Sequence, residues 1–132
     1  MTVHPLRFVH IEIPGYIEHR VAPHDDNQYV CLTVKRRDLN FTLVGAYISP
    51  SNRFEPERLR ALLTATPGPW IITGDFNAHH PLWGSQKTDS RGRQVFSFAL
   101  EQQLLCVNDG SPTFLRGTTY SSCLDLTFVS RS

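Results

Sequence analysis

The chain has 132 residues, with 13 Lys and Arg against 12 Asp and Glu, a formal net charge of +1. That length holds one domain with a moderate core, and the balanced charge excludes the basic field that announces nucleic-acid binding by charge alone. The three cysteines, Cys31, Cys106 and Cys123, are widely spaced with no C-x-x-C pair, which argues against a disulfide framework or structural zinc and suits a reducing compartment.

The N-terminal "LRFVHIEIP" alternates, with Val9, Ile11 and Ile13 on one face and Phe8, His10 and Glu12 on the other, and predicts a strand with one buried side. The start holds no long apolar stretch of the signal-peptide kind, and no run approaches membrane-spanning length. An intracellular location, nucleus or cytoplasm, with no membrane partner is therefore expected. "YIEHRVAPHDDNQ" reads as a short strand and a polar turn over residues 23–27. "YVCLTVKRR" alternates again, with Val30, Leu32 and Val34 inward. "DLN" is a tight turn, and "FTLVGAYIS" is apolar on both faces, the mark of a central strand covered on both sides. Residues 31–36 and 40–48 are thus expected to pair as a hairpin.

"PSNRFEPERLRALLTATPG" reads as loop, helix, loop: Leu59, Leu62 and Leu63 have helical spacing, Pro56 suits the first turn, and Pro67-Gly68 ends it. "PWIITGDF" is a strand of near-continuous apolar character. "NAHHPLWGSQKTDSRG" is a long loop, of a length that inside a compact domain is usually functional or mobile. "RQVFSFALEQQLL" is an apolar-rich helix, and "CVNDGSPTF" a short strand and turn. "CLDLTFVS" alternates, with Leu124, Leu126 and Phe128 on one face and Asp125, Thr127 and Val129 on the other. Strands first, then helix, strand, helix and strand give a mixed α/β layout with helices on a largely antiparallel sheet.

Asp75 and Asn77 end an apolar strand two residues apart, so they share a face there, opposite Trp70, Ile72 and Phe76. A carboxylate only accepts hydrogen bonds, whereas an amide donates and accepts; such a pair can hold an activated water and a phosphate oxygen. The plainer reading is that both residues cap a turn. Asp125 is a second unusual acid, mid-strand between two leucines; it either needs a partner or a metal under cover or lies on a solvated face with Thr127. His79 and His80 are adjacent and diverge in an extended loop, without a third ligand at zinc-site spacing. Arg91, on the long loop, is solvated or touches a phosphate.

Together, "IITGDFNAHHPLWGS", the "RG" at Arg91, "VNDGSPTF" and "SSCLDLTFVS", with "VGAYISPS" upstream, resemble the endonuclease domain of non-LTR retrotransposons. That domain belongs to the endonuclease/exonuclease/phosphatase superfamily, with apurinic/apyrimidinic endonucleases and DNase I. The resemblance covers nearly the whole chain and is strongest over residues 41–130. It implies a four-layer α/β sandwich of two mixed, largely antiparallel sheets flanked by helices. It also implies Mg²⁺-dependent phosphodiester hydrolysis, with Mn²⁺ as a substitute metal, by an endonuclease that nicks DNA beside a reverse-transcriptase domain in a longer polyprotein.

Carried over by position, Asp75 resembles the acid that orients or deprotonates the attacking water, and Asn77 the ligand of the scissile phosphate. Tyr47 resembles a phosphate-contacting hydroxyl, and Asp125 the carboxylate that orients a catalytic His. Thr113 and Ser122 fall where the retrotransposon enzymes contact the nucleic-acid backbone. The resemblance further implies that residues 1–132 are part of a domain, without its N-terminal Asn and metal-binding Glu strands or its C-terminal Asp-His strand. Neither Glu12 and Glu18 nor His10, His24, His79 and His80 sit in the matching motifs. The expectation is a nicking endonuclease fold, inactive as these residues alone. The alternatives are a non-catalytic remnant of a decayed element and a superfamily phosphatase on a small phosphorylated substrate; "HHPLWG" and S-x-x-D-L-T-F weigh against the latter.

Overall fold

The computed structural model describes residues 9–10, 20–21, 29–116 and 120–131. Among these, seven strands form one sheet in the spatial order β1 (Val9–His10), β2 (Arg20–Val21), β3 (Tyr29–Arg36), β4 (Leu39–Tyr47), β5 (Trp70–Asp75), β9 (Asp125–Ser130) and β6 (Leu104–Cys106). Every neighbouring pair is antiparallel except β4 and β5. A separate antiparallel pair joins β7 (Phe114–Arg116) to β8 (Tyr120–Ser122). Helix α1 (Pro56–Thr64), a 3₁₀ turn over Pro81–Trp83 and helix α2 (Ser90–Glu101) fill the connections. The α/β class and the largely antiparallel mixed sheet are as the sequence predicts; the described residues hold one large sheet and the small β7–β8 pair. Val9 and His10 are in strand β1, but the faces taken by Val9, Ile11 and Ile13, and the polar turn over 23–27, lie outside the described residues. No helix among the described residues is long and apolar enough to cross a membrane.

The expected hairpin forms, but its turn is at residues 37–38 rather than over "DLN": Leu39 and Asn40 already pair with Arg36 and Lys35, and Tyr29 pairs with Ala46. β4 and β5 are parallel, so the chain must cross over between them, and α1 makes that crossover. Pro56 opens α1, and Leu59, Leu62 and Leu63 are its buried residues. They pack with Val95, Phe98 and Ala99 of α2 against Val44, Ile72, Leu126 and Phe128 of the sheet. The aromatic rings meet edge to face, Phe54 on Phe98 at 6.0 Å, Phe76 on Phe128 at 5.8 Å and Trp83 on Phe128 at 6.2 Å. The void left between Phe54, Leu59, Ile72, Val95 and Phe98 is only about 10 Å³, so this layer is packed as closely as a protein core normally is.

Three further expectations need correction. In β3 Tyr29, Cys31 and Thr33 are buried, at 4%, 0% and 1% exposure; of the residues expected inward, Val34 is buried at 5%, Leu32 is half-buried and Val30 is 46% exposed. Both faces of this strand carry apolar residues, and the packing partners decide: Tyr29, Cys31 and Thr33 lie across from Ala46, Val44 and Thr42 on the helix-covered face. There Thr33 Oγ1 meets Thr42 Oγ1 at 3.1 Å, and Thr42 Oγ1 donates to the Pro67 carbonyl at 2.6 Å, so the buried hydroxyls are satisfied. In β4, Thr42, Val44 and Ala46 are buried, whereas Phe41, Leu43 and Gly45 on the other face are half-buried; the strand alternates instead of being covered alike on both sides. Finally, α2 begins at Ser90 and ends at Glu101. Asp89 caps its first turn, and Gln103 adopts a left-handed φ of 57°, which turns the chain so that Leu104 and Leu105 enter β6 rather than the helix.

Candidate active site

β5 lies between β4 and β9, and all three strands reach the same end of the sheet. Tyr47 is the register partner of Asp75, and Asp75 that of Asp125. Register partners point to the same face of a sheet. The structure therefore brings Tyr47, Asp75 and Asp125 into one row, on the face opposite Ile72, Leu126 and Phe128. Two residues further along, on the same face, Thr73 Oγ1 meets Thr127 Oγ1 at 2.9 Å. The row is open: Tyr47 is 47% exposed, Asp125 is exposed and Asp75 half-buried.

Local geometry fixes Asp75 at the strand end. Gly74 has φ 149°, and a Cβ there would lie 1.8 Å from the Ala46 carbonyl oxygen, so only glycine lets β5 approach β4 this closely. Ile48 N donates to the Asp75 carbonyl at 2.8 Å, and Phe76 N to that of Leu124 at 3.0 Å. The Asp75 side chain then closes the strand, its Oδ1 accepting from Asn77 N at 2.9 Å. Asn77 takes a left-handed φ of 47°, a conformation Asn tolerates better than most residues, and its Nδ2 donates to the Ile48 carbonyl at 2.7 Å. The turn-capping and site readings of this pair are thus compatible: one side chain does the capping, and the same cap aims the other. The Asp75 carboxyl sits above the usual carboxylate range. Partial burial is the main cause, with the Asp125 charge adding to it against the Asn77 N–H and the Arg91 charge.

Arg91 lies in the first turn of α2, not on a loop, because Asp89 accepts from Gly92 N at 2.6 Å and starts the helix early. Its Nη1 donates to the carbonyls of Phe76 at 3.3 Å and of Ile48 and Asn77 at 3.5 Å, and its Nη2 to that of Asn52. It ties together the segments that follow β4 and β5. Thr113 Oγ1 accepts from Leu124 N at 2.9 Å and Asp125 N at 3.0 Å, so it holds the start of β9. Ser122 lies on β8 opposite Phe114; its side chain lies outside the described residues.

The loop between β5 and α2 is ordered by its own side chains. His80 Nδ1 accepts from Leu82 N at 3.0 Å, and its ring stacks on Phe96 with centroids 4.3 Å apart. Trp83 is fully buried and donates from Nε1 to the Ala78 carbonyl at 3.0 Å. Asp89 Oδ1 also accepts from His79 N at 3.2 Å. Among the described residues, no group of three or more His, Cys, Asp or Glu is placed to hold a metal ion. One residue close to the row escaped sequence reasoning. Asn108 donates from Nδ2 to the Asp125 carbonyl at 2.9 Å, and its Oδ1 accepts from Thr127 N at 2.9 Å. The "VND" that follows β6 was its only signal.

Comparison with known proteins bears on this geometry. The family model described as endonuclease-reverse transcriptase matches residues 41–132. The chain is 27% identical over 73 residues to the RNA-directed DNA polymerase from mobile element jockey of Drosophila melanogaster, which covers 55% of this chain and 8% of that protein. It is 33% identical over 76 residues to the probable RNA-directed DNA polymerase from transposon BS of the same species, covering 58% of this chain and 8% of the relative. The solved endonuclease domain of TRAS1, a telomere-specific non-LTR retrotransposon, matches with a TM-score of 0.73 and 29% identity, over 94% of this chain and 56% of that one. The chain thus spans under a tenth of the two polymerases and about half of the solved domain. With a family match across well over half its length and the same fold as a retrotransposon endonuclease domain, the chain belongs to the endonuclease–reverse transcriptase family.

Proposed function

We propose that this chain carries phosphodiester-hydrolysing machinery of a Mg²⁺-dependent DNA-nicking endonuclease of the non-LTR retrotransposon type, working beside an RNA-directed DNA polymerase in a longer protein. The row Tyr47, Asp75, Asp125 carries the reading, with Asn77 anchored beside it. Two carboxylates directly opposite each other repel, and a bound cation would relieve that repulsion. The donors on this face are carboxylate and hydroxyl oxygens, which suit Mg²⁺ or Mn²⁺ in kind. Asp75 and Asp125 would hold the ion, with waters and phosphate oxygens completing its shell, as Mg²⁺ prefers. Bound there, the ion supplies positive charge that stabilises the charge developing on the phosphate oxygens.

The remaining roles belong to the chain itself. Asp75, with its carboxyl above the usual range, orients the attacking water and accepts its proton. Asn77 has one amide N–H on the Ile48 carbonyl and offers the other to a phosphoryl oxygen, in an orientation set before substrate arrives. Tyr47, 47% exposed, stands at the edge of the row and supplies a phenolic hydroxyl. Among the described residues only these two carboxylates, Asp75 and Asp125, meet there and would hold Mg²⁺ weakly, so slow or no turnover is expected of residues 1–132 alone.

The test grafts residues 41–131 of this chain in place of the matching segment of the TRAS1 endonuclease domain and measures nicking of supercoiled plasmid in Mg²⁺. The chimera is expected to nick, and Asp75→Ala within it to lower the rate by about 10²- to 10⁴-fold. Undiminished nicking by the Asp75→Ala chimera, or a chimera that melts cooperatively yet does not nick, contradicts the proposal.

A further inference from the structure

We propose that Asn108 is a positioning residue for Asp125, its carboxamide standing in for a strand residue that the sheet lacks at that level. The inference rests on the reading of Asp125 given above. β6 pairs with β9 through Leu104, Leu105 and Cys106, and the ladder runs on with Val107 N donating to the Thr127 carbonyl at 2.9 Å. There the β6 backbone leaves the sheet. A continuing strand would next offer a donor to the Asp125 carbonyl and an acceptor to Thr127 N. The Asn108 side chain supplies both, each at 2.9 Å.

The amide has no spare capacity. Its second N–H donates to Cys123 Sγ at 3.4 Å, and its oxygen also accepts from the Cys106 thiol at 3.6 Å. A carboxamide offers two donors and two acceptor lone pairs, and all four are engaged, so its orientation is fixed. On the other side of the same residue, Thr113 Oγ1 accepts from Asp125 N at 3.0 Å. Asp125 is therefore held at its N–H by one side chain and at its carbonyl by another, immediately where its carboxylate must face Asp75. Aspartate at position 108 cannot donate to the Asp125 carbonyl, and alanine supplies neither bond. Groups that orient a metal-facing carboxylate through such bonds typically change metal affinity 10- to 100-fold when removed.

The experiment uses the 132-residue chain, amide NMR and Mn²⁺ as the probe. In wild type, Mn²⁺ is expected to broaden the amide signals of Asp75 and Asp125. Asn108→Ala is expected to weaken this Mn²⁺ binding by about tenfold, and to weaken it no further in an Asp125→Asn background. Thr113→Val, which removes the acceptor for Asp125 N while keeping the side-chain shape, is the second variant and should act in the same direction. A lower melting temperature with unchanged Mn²⁺ affinity in both single variants would overturn the proposal, because a purely structural residue behaves that way. If wild type shows no broadening at the row, the metal reading fails instead, and hydrogen exchange decides the positioning claim. Faster exchange of the Asp125 amide in Asn108→Ala, although its own acceptor Thr113 is untouched, supports the claim; unchanged exchange overturns it.

Discussion

Asp75 and Asp125 stand directly opposite each other in the antiparallel rung between β5 and β9, two residues along from the Thr73–Thr127 hydroxyl pair on the same face. Like charges in this arrangement oppose pairing of the strands. The sheet keeps them because the same strands bury Ile72, Leu126 and Phe128 on the other face, where the helices pack. Packing on one face thus holds an unfavourable pair on the other, and the chemistry proposed for the chain draws on that pair.

The pH dependence of Asp75→Asn follows. The folded-state pKa of Asp75 is raised, chiefly by burial, so folding favours its protonated form. That contribution is full below the unfolded pKa and is lost as pH rises through the raised folded value; at neutral pH the ionised carboxylate works against the fold. Asparagine keeps an oxygen to accept from Asn77 N without the charge. Asp75→Asn should therefore melt at a higher temperature than wild type at pH 7, with the gap narrowing as pH falls through the carboxyl range. Melting curves across that range check it, and a lower melting temperature for the variant at pH 7 would contradict it.

Gly74→Ala should be strongly destabilising. The substituted Cβ falls 1.8 Å from the Ala46 carbonyl oxygen, and φ 149° is a conformation that L side chains rarely adopt. Neither the rigid backbone of β4 nor the dihedral can relax cheaply, so a loss of about 2 kcal/mol or more is expected from denaturant unfolding. A loss under about 0.5 kcal/mol would show that β5 can shift along β4.

Arg91→Lys tests the guanidinium as a tie between two loops. Its two terminal nitrogens donate to the carbonyls of Ile48, Asn52, Phe76 and Asn77. A lysine ammonium is a compact point charge without the planar fork and cannot reproduce that set. Arg91→Lys should lose about 1.5–3 kcal/mol of stability. It should also accelerate hydrogen exchange at Asn77 N, and a variant as protected there as wild type would refute the tie.

Trp83 separates packing from hydrogen bonding. It is fully buried against Phe128 and donates to the Ala78 carbonyl. Trp83→Ala should lose about 3–5 kcal/mol. Trp83→Phe keeps ring volume but leaves the Ala78 carbonyl unpaired and should lose about 1–3 kcal/mol. Equal losses for the two variants would place the whole effect in the hydrogen bond.

Much of this was legible from the chain. Leu59, Leu62 and Leu63 announced α1, and alternation in "CLDLTFVS" put Asp125 on the face away from Leu126 and Phe128, which are buried. Period-2 reading placed Asp75 on one face of β5 and Ile72 on the other. It held for Val34 but failed for Val30 in β3, because "YVCLTV" is apolar on both faces and the more deeply buried face is chosen by Val44 and Ala46 across the hairpin, not by the strand itself. It could not show that Asp75 and Asp125 meet, since their pairing is a long-range register between segments fifty residues apart in sequence. The early start of α2 was written in Asp89 as an N-cap, whereas the cradle of carbonyls around Arg91 exists only after folding. Asn108 was hidden for the same reason: a side chain imitating a strand looks, in sequence, like any loop asparagine.

The most direct test of the account is where Mn²⁺ binds. Titrating Mn²⁺ into the chain with a short DNA duplex, followed by paramagnetic broadening of backbone amides, locates even a weak site. The account predicts broadening centred on Tyr47, Asp75, Asn77 and Asp125, abolished by Asp75→Asn. Broadening centred instead on His79 and His80 or on Glu57 and Glu101, and indifferent to Asp75→Asn, would contradict it.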